Sequence, residues 1–297
     1  MDIITGRVLA EGKTKVIVED RNDPTQVFII SKDDITAGDG AKHDVIVGKA
    51  ALSTKTTSNV FRLLKFRGIP VAFKGEIGEV AFSAHFCLML LYEVVVRRKA
   101  YGSYLDRHPE CEKGQVFEDL VLEFFLKTSG KVWRGVRSGK EYKLLKDDPL
   151  MEIDWEKGEV SLFYPGHSAE ERKTAAKDAL LNQKPFLTLP LNEVFDREDE
   201  KNRLQRMGEI AKQTFLILEE AWSMWKYCLV DFKVEFGLDS DGNVRLADVI
   251  DSDSWRLINE AGEHDDKQYY RENGDLNEVT AKYRRIAYLT DQFLSQS

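Results

Sequence analysis

Residues 229–250 read LVDFKVEFGLDSDGNVRLADVI, and this stretch decides the fold of the surrounding chain. Apolar and charged side chains alternate from Val230 to Phe236, which is the pattern of a strand with one packed and one polar face. Asp239-Ser240-Asp241-Gly242 supplies residues that favour a turn, and residues 243–250 then return as a second strand. The sequence therefore predicts a β-hairpin.

The polar face of this hairpin carries charges that point to chemistry. Strand alternation places Asp231, Lys233 and Glu235 on one face, and the returning strand brings Asp248 alongside. We expect Glu235 and Asp248 to share a divalent cation. Mg²⁺ suits such a pair because it takes one or two carboxylates and leaves positions for phosphate oxygens. A solvated, salt-bridged hairpin face is the alternative.

A long amphipathic helix is predicted just before the hairpin, because apolar residues recur there at spacings of three and four. An aromatic stripe of this kind is typical of a core-facing helix rather than of a cofactor site. The stripe consists of Leu204, Met207, Ala211, Phe215, Leu218, Trp222 and Trp225.

Strands dominate the front of the chain, and helices frame its end. Strands are predicted near residues 7–9, 15–18 and 27–30, with turns between them. A helix is predicted over residues 45–66, and a last helix over residues 276–293. The inner stripe of the first helix is Val47, Ala50, Thr54, Phe61 and Leu64. Further strands are predicted at residues 71–74, 79–82, 92–98 and 120–126.

This order of elements predicts an α+β fold with two lobes. Residues 1–92 form a mainly β lobe with one helix, and residues 93–297 form an α+β lobe that carries the metal and substrate sites. Residues 128–190 are less regular and read as an insertion. Within them, Ser168 and Glu171 have the spacing of a capping box at a helix start.

The composition excludes several classes of protein. The chain has 297 residues, a hydrophobic content of 42% and a net charge of −8, which argues against a nucleic-acid scaffold and against membrane insertion. Its three cysteines form no C-x-x-C pair, so neither a disulfide framework nor a structural zinc site is expected. We expect a cytoplasmic protein with no nucleic-acid or membrane partner.

Three short segments have the residue types that bind anions. Lys13 and Lys15 lie two positions apart, so on a strand both ammonium groups would project from one face. Residues 38–40 read Gly-Asp-Gly, which lets the backbone approach a ligand closely. Arg97 ends an apolar strand, and Ser103 follows it, as in a phosphate site. A strand edge, a surface turn and a basic loop are the respective alternatives.

Taken in chain order, these motifs resemble the phosphoribosylaminoimidazole-succinocarboxamide synthase (SAICAR synthetase) family. The similarity spans nearly the whole chain apart from residues 128–190. The matching segments are Glu11–Lys15, Asp34–Ala41, Val95–Arg98 with Gly102-Ser103, Leu122–Lys127, Leu229–Gly237, Leu246–Ile250, Asp253–Arg256 and Asp266–Arg271.

The resemblance implies an enzyme of purine biosynthesis that uses ATP and Mg²⁺ to join L-aspartate to the carboxylate of an aminoimidazole ribotide through an acyl phosphate. It also implies a two-lobed fold with an ATP cleft between the lobes, similar to the ATP-grasp and kinase-like arrangements. It assigns ATP to Lys13, Lys15, Met89 and Lys127, and Mg²⁺ to Glu235 and Asp248. It assigns the ribotide phosphate to Arg97, Ser103, Arg256 and Arg271, and catalysis to Lys233 and Asp39.

The segment Ala247–Asp251 is closer to the synthase half of the animal bifunctional enzyme than to short bacterial members. Because the chain ends at Ser297, we expect a monofunctional enzyme, with a homo-oligomer left open. A small-molecule kinase needs the same ATP and magnesium groups, and a nucleotide-binding module without turnover is a second alternative. The additional arginine-rich phosphate site favours the ligase over the nucleotide-binding module, which does not need one. No residue is assigned as the base for the aspartate amine.

Overall fold

The computed structural model describes residues 5–37, 41–128, 130–166, 184–196 and 199–295, and it has a mixed α+β fold. The strands in chain order are β1 Thr5–Glu11, β2 Lys15–Asp20, β3 Gln26–Ser31, β4 Asp34–Ala37, β5 Lys42–Val45, β6 Phe73–Gly78, β7 Ala81–His85, β8 Leu88–Lys99, β9 Val116–Leu126, β10 Val132–Arg134, β11 Glu141–Lys143, β12 Leu150–Asp154, β13 Glu159–Phe163, β14 Leu187–Pro190, β15 Cys228–Leu238, β16 Val244–Ala247 and β17 Trp255–Ile258. The helices are Lys49–Phe66, Ser103–Arg107, Leu191–Val194, Glu200–Ser223, Lys267–Arg271 and Leu276–Thr290. None of these helices is both long and apolar enough to cross a membrane.

The chain divides into two compact units. One contains the described residues up to Leu90 and from Gln213 onward, and the other is Leu91–Lys212. The sequence instead suggested a first lobe that ends at residue 92 and a second that includes all later residues. The C-terminal part joins the first unit because Leu246 exchanges backbone hydrogen bonds of 2.8 Å with Pro70 and Ala72. Local sequence patterns do not reveal such distant pairings.

The first unit contains an antiparallel sheet of order β1-β2-β3-β7-β6, and helix Lys49–Phe66 packs on β3, β6 and β7. The rings of Phe61 and Phe73 stack at 5.7 Å in this contact. The helix starts after Gly48, and the Asp33 carboxylate accepts a hydrogen bond of 2.8 Å from the Ala50 amide in its first turn. Strand β15 pairs antiparallel with β16 and β17 in the same unit.

The second unit contains an antiparallel sheet of order β14-β13-β12-β9-β8. Strands β12, β13 and β14 lie within the segment that the sequence left irregular, and they extend the sheet outward from β9. The small β10–β11 hairpin is held by Glu193, whose backbone carbonyl accepts from Trp133 Nε1 at 2.9 Å and whose carboxylate accepts from Ser138 at 2.5 Å. The capping box predicted at Ser168 lies outside the described residues.

Most of the predicted elements are confirmed, with three corrections. Val47 is 87% exposed, because it precedes the helix start at Gly48 and therefore lies outside the apolar stripe. Trp225 lies beyond the end of helix Glu200–Ser223 and is only half-buried. Lys13 lies in the turn before β2, not on the strand with Lys15. The buried members of the second stripe are Leu204, Met207, Ala211, Phe215, Leu218 and Trp222.

Candidate active site

The predicted hairpin forms, and the expected alternation holds from Phe232 to Phe236. Strand β15 buries Val230, Phe232, Val234 and Phe236, while Lys233 is exposed. The turn is built on a carboxylate: Asp239 Oδ1 accepts from the amides of residues 241 and 243 at 3.0 and 2.9 Å. The hairpin therefore presents its alternate side chains in a fixed register.

The two predicted metal ligands lie close together on this hairpin. Glu235 pairs with Ala247 across the β15–β16 ladder, and Asp248 is the next residue after Ala247. Asp248 has φ of 65°, a left-handed conformation that is uncommon for a residue with a side chain. Aspartate adopts this conformation more readily than most residues that carry a side chain.

Lys15 reaches the same point from the first sheet of the unit. Its ammonium group forms a short ion pair with Asp248 Oδ1, and both side chains are about four-fifths buried. Lys13 is exposed in the preceding turn. The fold therefore brings a predicted ATP-binding lysine to a predicted metal-binding carboxylate.

Gly237 lies against the segment that contains Met89, a residue assigned to ATP. A Cβ atom at Gly237 would lie 2.6 Å from Cys87 Cβ, 3.2 Å from Leu88 O and 3.3 Å from Met89 Sδ. Only glycine permits this approach. Burial raises the pKa of Cys87 to about 11, so its thiol stays neutral and packs as an apolar group. Met89 keeps 37% of its surface exposed.

Arg256 is held by a buried carboxylate. It lies opposite Asp231 in the β15–β17 ladder, and its Nη1 atom donates to Asp231 Oδ2. Asp231, which the sequence placed on the polar face, is 4% exposed and thus serves as the partner of Arg256. Desolvation and then the positive charge of Arg256 lower the pKa of Arg271, although Arg271 as a whole residue is exposed. Two cationic groups therefore lie near each other here.

A buried polar network underlies the segment that leads to Arg256. Asp253 accepts from Lys267 at 3.2 Å and from the Tyr283 hydroxyl, and the Lys49 ammonium lies 3.5 Å from the same carboxylate. Burial alone would raise the pKa of Asp253, but Lys49 and Lys267 outweigh it and hold that pKa well below its usual range. Burial raises the pKa of the neighbouring Asp251. The network carries an ionised Asp253 between two ammonium groups.

Asp39, with the rest of the Gly-Asp-Gly loop, lies outside the described residues. The strands that flank this loop, β4 and β5, pair with each other and pack on the C-terminal helices. Tyr270 donates to Asp44 at 2.8 Å, and Lys42 lies 3.9 Å from the centre of the Tyr270 ring.

In the second unit, the predicted phosphate arginine is buried. Arg97 donates from Nε to Glu123 Oε2 at 2.6 Å and from Nη1 to Tyr101 O at 3.4 Å. Ser103, the other predicted phosphate residue of this unit, begins the short helix Ser103–Arg107. Arg107 in the same helix donates to the other oxygen of Glu123.

Lys127 follows the end of β9, and its amide donates to Leu91 O at 2.9 Å. Acidic residues on neighbouring segments, among them Asp148, lie near Lys127. Burial, and then the charges of Glu93 and Asp147, raise the pKa of Asp148, whereas the Thr128 amide and Lys127 act in the opposite direction. Lys127 therefore lies in a mixed-charge environment at the strand end.

No group of three or more His, Cys, Asp or Glu side chains is arranged to hold a metal within the described part of the chain. Two carboxylate residues at adjacent positions of one hairpin, as Glu235 and Asp248 are, nevertheless suit Mg²⁺. This ion retains water and phosphate oxygens as ligands and needs few from the protein.

Sequence reasoning missed the buried charges that hold Arg97, Arg256 and the segment that leads to Arg256. Lys49, Asp253 and Tyr283 come together from three distant segments, so no local pattern signals them. Glu123 did leave a signal, because it is the only charged residue within the apolar run from Val121 to Leu126. A single charge in a central strand is usually paired.

Comparison with known proteins agrees with the sequence motifs. A family model described as SAICAR synthetase matches residues 8–132 and 167–288, which leaves residues 133–166 outside the match. The phosphoribosylaminoimidazole-succinocarboxamide synthase of Roseiflexus castenholzii is 32% identical over 98% of this chain and 99% of its own length. The bifunctional phosphoribosylaminoimidazole carboxylase/phosphoribosylaminoimidazole succinocarboxamide synthetase of Rattus norvegicus is 37% identical over 93% of this chain and 54% of its own length.

Solved structures with the same fold cover nearly the whole chain. A SAICAR synthetase (Type-2) in complex with ADP has a TM-score of 0.66 and 26% identity, and the match covers 96% of this chain and 97% of that one. The phosphoribosylaminoimidazole-succinocarboxamide synthase of Ehrlichia chaffeensis has the same TM-score at 24% identity, with 96% and 98% covered. The α+β prediction is thereby confirmed.

Proposed function

The chain belongs to the SAICAR synthetase family, and we propose that its described side chains bind the substrates of that family as set out below. The protein is an ATP-dependent carbon–nitrogen ligase of de novo purine biosynthesis. It joins L-aspartate to the carboxylate of 5-amino-1-(5-phosphoribosyl)imidazole-4-carboxylate and forms SAICAR through an acyl phosphate.

The chemistry explains why such a site contains cations and carboxylates rather than a nucleophile. A carboxylate resists attack by an amine because it is anionic and its oxygen leaves poorly. Transfer of the terminal phosphoryl group of ATP to that oxygen gives an acyl phosphate and ADP. The aspartate amine then attacks the carbonyl carbon, and inorganic phosphate leaves. Phosphoryl transfer requires mainly positioning and charge neutralisation from the protein.

ATP is proposed to bind at Lys13, Lys15, Met89 and Lys127. The observation that carries this proposal is the ion pair between Lys15 and Asp248, because it brings the lysine proposed to bind phosphate to the carboxylate proposed to bind the metal. The contact between Gly237 and the segment Cys87–Met89 supports a nucleotide site beside the same hairpin. The ADP-bound relative is consistent with ATP use.

Magnesium is proposed to bind at Glu235 and Asp248. When bound, the ion would neutralise charge on the transferring phosphoryl group. The chain's own contribution is to hold both carboxylates on one hairpin and to place Lys15 against Asp248, so that the lysine limits the negative charge of the pair.

Arg97, Ser103, Arg256 and Arg271 are each proposed to bind the ribotide phosphate. Each of the two inner arginines is fixed by a buried carboxylate, Arg97 by Glu123 and Arg256 by Asp231. Guanidinium groups held in this way favour bidentate recognition of a phosphate. Catalytic roles are proposed for Lys233 and Asp39, which would orient the reacting carboxylate. We also propose that the protein works in the cytoplasm.

The decisive experiment measures ADP release with each substrate omitted in turn. Release that requires both the ribotide and L-aspartate, with one SAICAR formed per ADP, supports the proposal. ADP release that does not require aspartate would indicate a kinase, and binding of ATP without any release would indicate a nucleotide-binding module. Repeating the assay with excess chelator and then with added Mg²⁺ tests the metal.

A further inference from the structure

Glu123 is a buried carboxylate that the proposed reaction does not use directly. It lies on β9 with 6% of its side chain exposed, and two guanidinium groups flank it. Oε2 accepts from Arg97 Nε at 2.6 Å, and Oε1 accepts from Arg107 Nη2. Each carboxylate oxygen therefore has its own arginine.

The β8–β9 register explains why Glu123 meets Arg97. Val95 lies opposite Glu123, and Arg97 lies opposite Val121. Side chains two positions apart on a strand share a face, so Arg97 and Glu123 are diagonal neighbours on one face of the sheet. A carboxylate that bonds Nε also fixes rotation of the guanidinium plane, so Glu123 sets the direction in which Arg97 presents its terminal nitrogens.

The other oxygen of Glu123 fixes the second predicted phosphate residue indirectly. Arg107 ends the short helix that Ser103 begins, and its side chain is 2% exposed. Arg107 Nη1 also donates to Pro165 O, next to Gly166, where a Cβ atom would lie 2.4 Å from Ser103 Cβ. The backbone at Gly166 thus packs directly on Ser103. One carboxylate therefore fixes Arg97 directly and Ser103 through Arg107.

The charges of this cluster lie among side chains that are almost fully buried. Burial alone would raise the pKa of Glu123, but Arg97 and Arg107 outweigh it and lower the pKa, so the carboxylate is ionised. Buried ionic clusters are often no more stable than apolar packing of the same volume, so stability alone does not account for this one. A role in fixing the geometry of the two arginines does account for it.

We propose that Glu123 is a positioning residue that holds Arg97 and, through Arg107, Ser103 in the geometry that binds the ribotide phosphate. This inference rests on the proposed function, because it takes Arg97 and Ser103 as phosphate-binding residues. Glu123 itself touches neither the phosphate nor the reacting carboxylate.

The test compares Glu123→Gln with Glu118→Gln, the same chemical change at an exposed position of the same strand. Steady-state kinetics are measured with the ribotide and with its nucleoside, which lacks the 5′-phosphate. We expect Glu123→Gln to raise the ribotide KM on the order of tenfold, since a charged hydrogen bond to the phosphate-binding arginine is lost. The ATP KM and the kcat/KM for the nucleoside should remain near wild type. Glu118→Gln should change none of these.

A second pair of variants keeps the test decisive if Glu123→Gln fails to fold. Glu123→Asp retains the charge on a shorter side chain, and Arg107→Lys retains the charge but not the bidentate fork. We expect smaller increases in the ribotide KM from both. Equal losses with ribotide and nucleoside would show a purely structural role for Glu123 and would overturn the inference.

The outcome for Arg97→Lys separates the inference from the proposed function. If Arg97→Lys raises the ribotide KM while every Glu123 and Arg107 variant leaves it unchanged, only the positioning role fails. If Arg97→Lys also leaves it unchanged, the phosphate assignment is wrong. Failure of aspartate-dependent ADP release in the unmodified protein would reject the function itself.

Discussion

Lys15 and Asp248 form an ion pair although 233 positions separate them in the sequence. Lys15 is the first residue of β2, and Asp248 directly follows β16, so the contact joins the N-terminal sheet to the C-terminal hairpin of the same unit. Both side chains are about four-fifths buried, which strengthens their interaction relative to a surface pair. The contact places a cation beside the carboxylate that is proposed to bind the metal.

This contact predicts different effects for the two N-terminal lysines. Lys15→Ala should raise the ATP KM strongly, because it removes a partly buried cation beside Asp248. Lys13→Ala should raise it less, since Lys13 is exposed in the turn before the strand. The measurement is the ATP KM at saturating ribotide and aspartate, with ribotide binding measured separately without nucleotide. Equal losses of ATP and ribotide binding would contradict the assignment of these lysines to ATP.

The paired carboxylates of the hairpin should be essential for turnover. We expect Glu235→Gln and Asp248→Asn each to lower kcat roughly hundredfold or more, as is typical when one charge-stabilising group is lost. The thermal unfolding temperature of Glu235→Gln should stay near that of the wild type, because Glu235 is on the polar face of β15. Rates close to wild type in either variant at saturating Mg²⁺ would argue against a metal at this position.

The sequence predicted elements whose information is local. Alternation along Val230–Phe236 and the turn at Asp239–Gly242 specify the hairpin without help from distant residues. The predictions from sequence were wrong where contacts between distant segments determine the structure. Val47 fits the helical period, yet Gly48 adopts a left-handed conformation and starts the helix after it. Lys49 is 2% exposed because Asp253 and Tyr283, more than two hundred positions away, enclose it.

The close approach at Gly237 predicts a steric effect on nucleotide binding. Gly237→Ala would place a methyl group 2.6 Å from Cys87 Cβ and 3.2 Å from Leu88 O, so one of the two segments must move. We expect a raised ATP KM with a smaller change in the ribotide KM. Gly75→Ala and Gly78→Ala are matched controls, because a Cβ atom at either position meets nothing within 4 Å. An unchanged ATP KM in Gly237→Ala would place the nucleotide elsewhere.

The ionised state of Asp253 predicts a pH-dependent contribution to stability. Its pKa is lowered in the folded protein, so its contribution is fully present above the unfolded pKa of about 3.9 and is lost as pH falls through the folded pKa. Asp253→Asn should therefore destabilise the protein by about 3 kcal/mol at pH 7, and the difference from wild type should shrink toward pH 2. Denaturant unfolding across this pH range is the measurement.

Asp251→Asn is the control for that experiment, since the two carboxyl groups are neighbours with opposite shifts. Burial raises the pKa of Asp251, so its charged form is disfavoured in the folded protein. Replacing it with a neutral amide should therefore cost much less stability at pH 7 than Asp253→Asn. Equal destabilisation by both variants would show that packing, and not charge, dominates at this network.

The final prediction concerns the arginines proposed to bind the ribotide phosphate, which takes no part in bond making. Interactions that are equal in the ground and transition states affect KM more than kcat. Arg256→Lys and Arg97→Lys should each raise the ribotide KM several-fold with a smaller loss of kcat, since lysine cannot reproduce the bidentate fork. Some kcat loss is still expected, because remote binding energy helps to orient the carboxylate.

Arg245→Lys is the matched control, because Arg245 also pairs with a buried aspartate, donating from Nε to Asp239 at 2.6 Å and from Nη1 to Val71 O at 3.5 Å, and is not proposed to bind a substrate. It should lower the unfolding temperature slightly and leave the ribotide KM unchanged. Steady-state kinetics with the ribotide varied at saturating ATP and aspartate distinguish these cases. If Arg256→Lys and Arg97→Lys raise only the ATP KM, these arginines belong to the nucleotide site, and the phosphate of the ribotide must be bound by other residues.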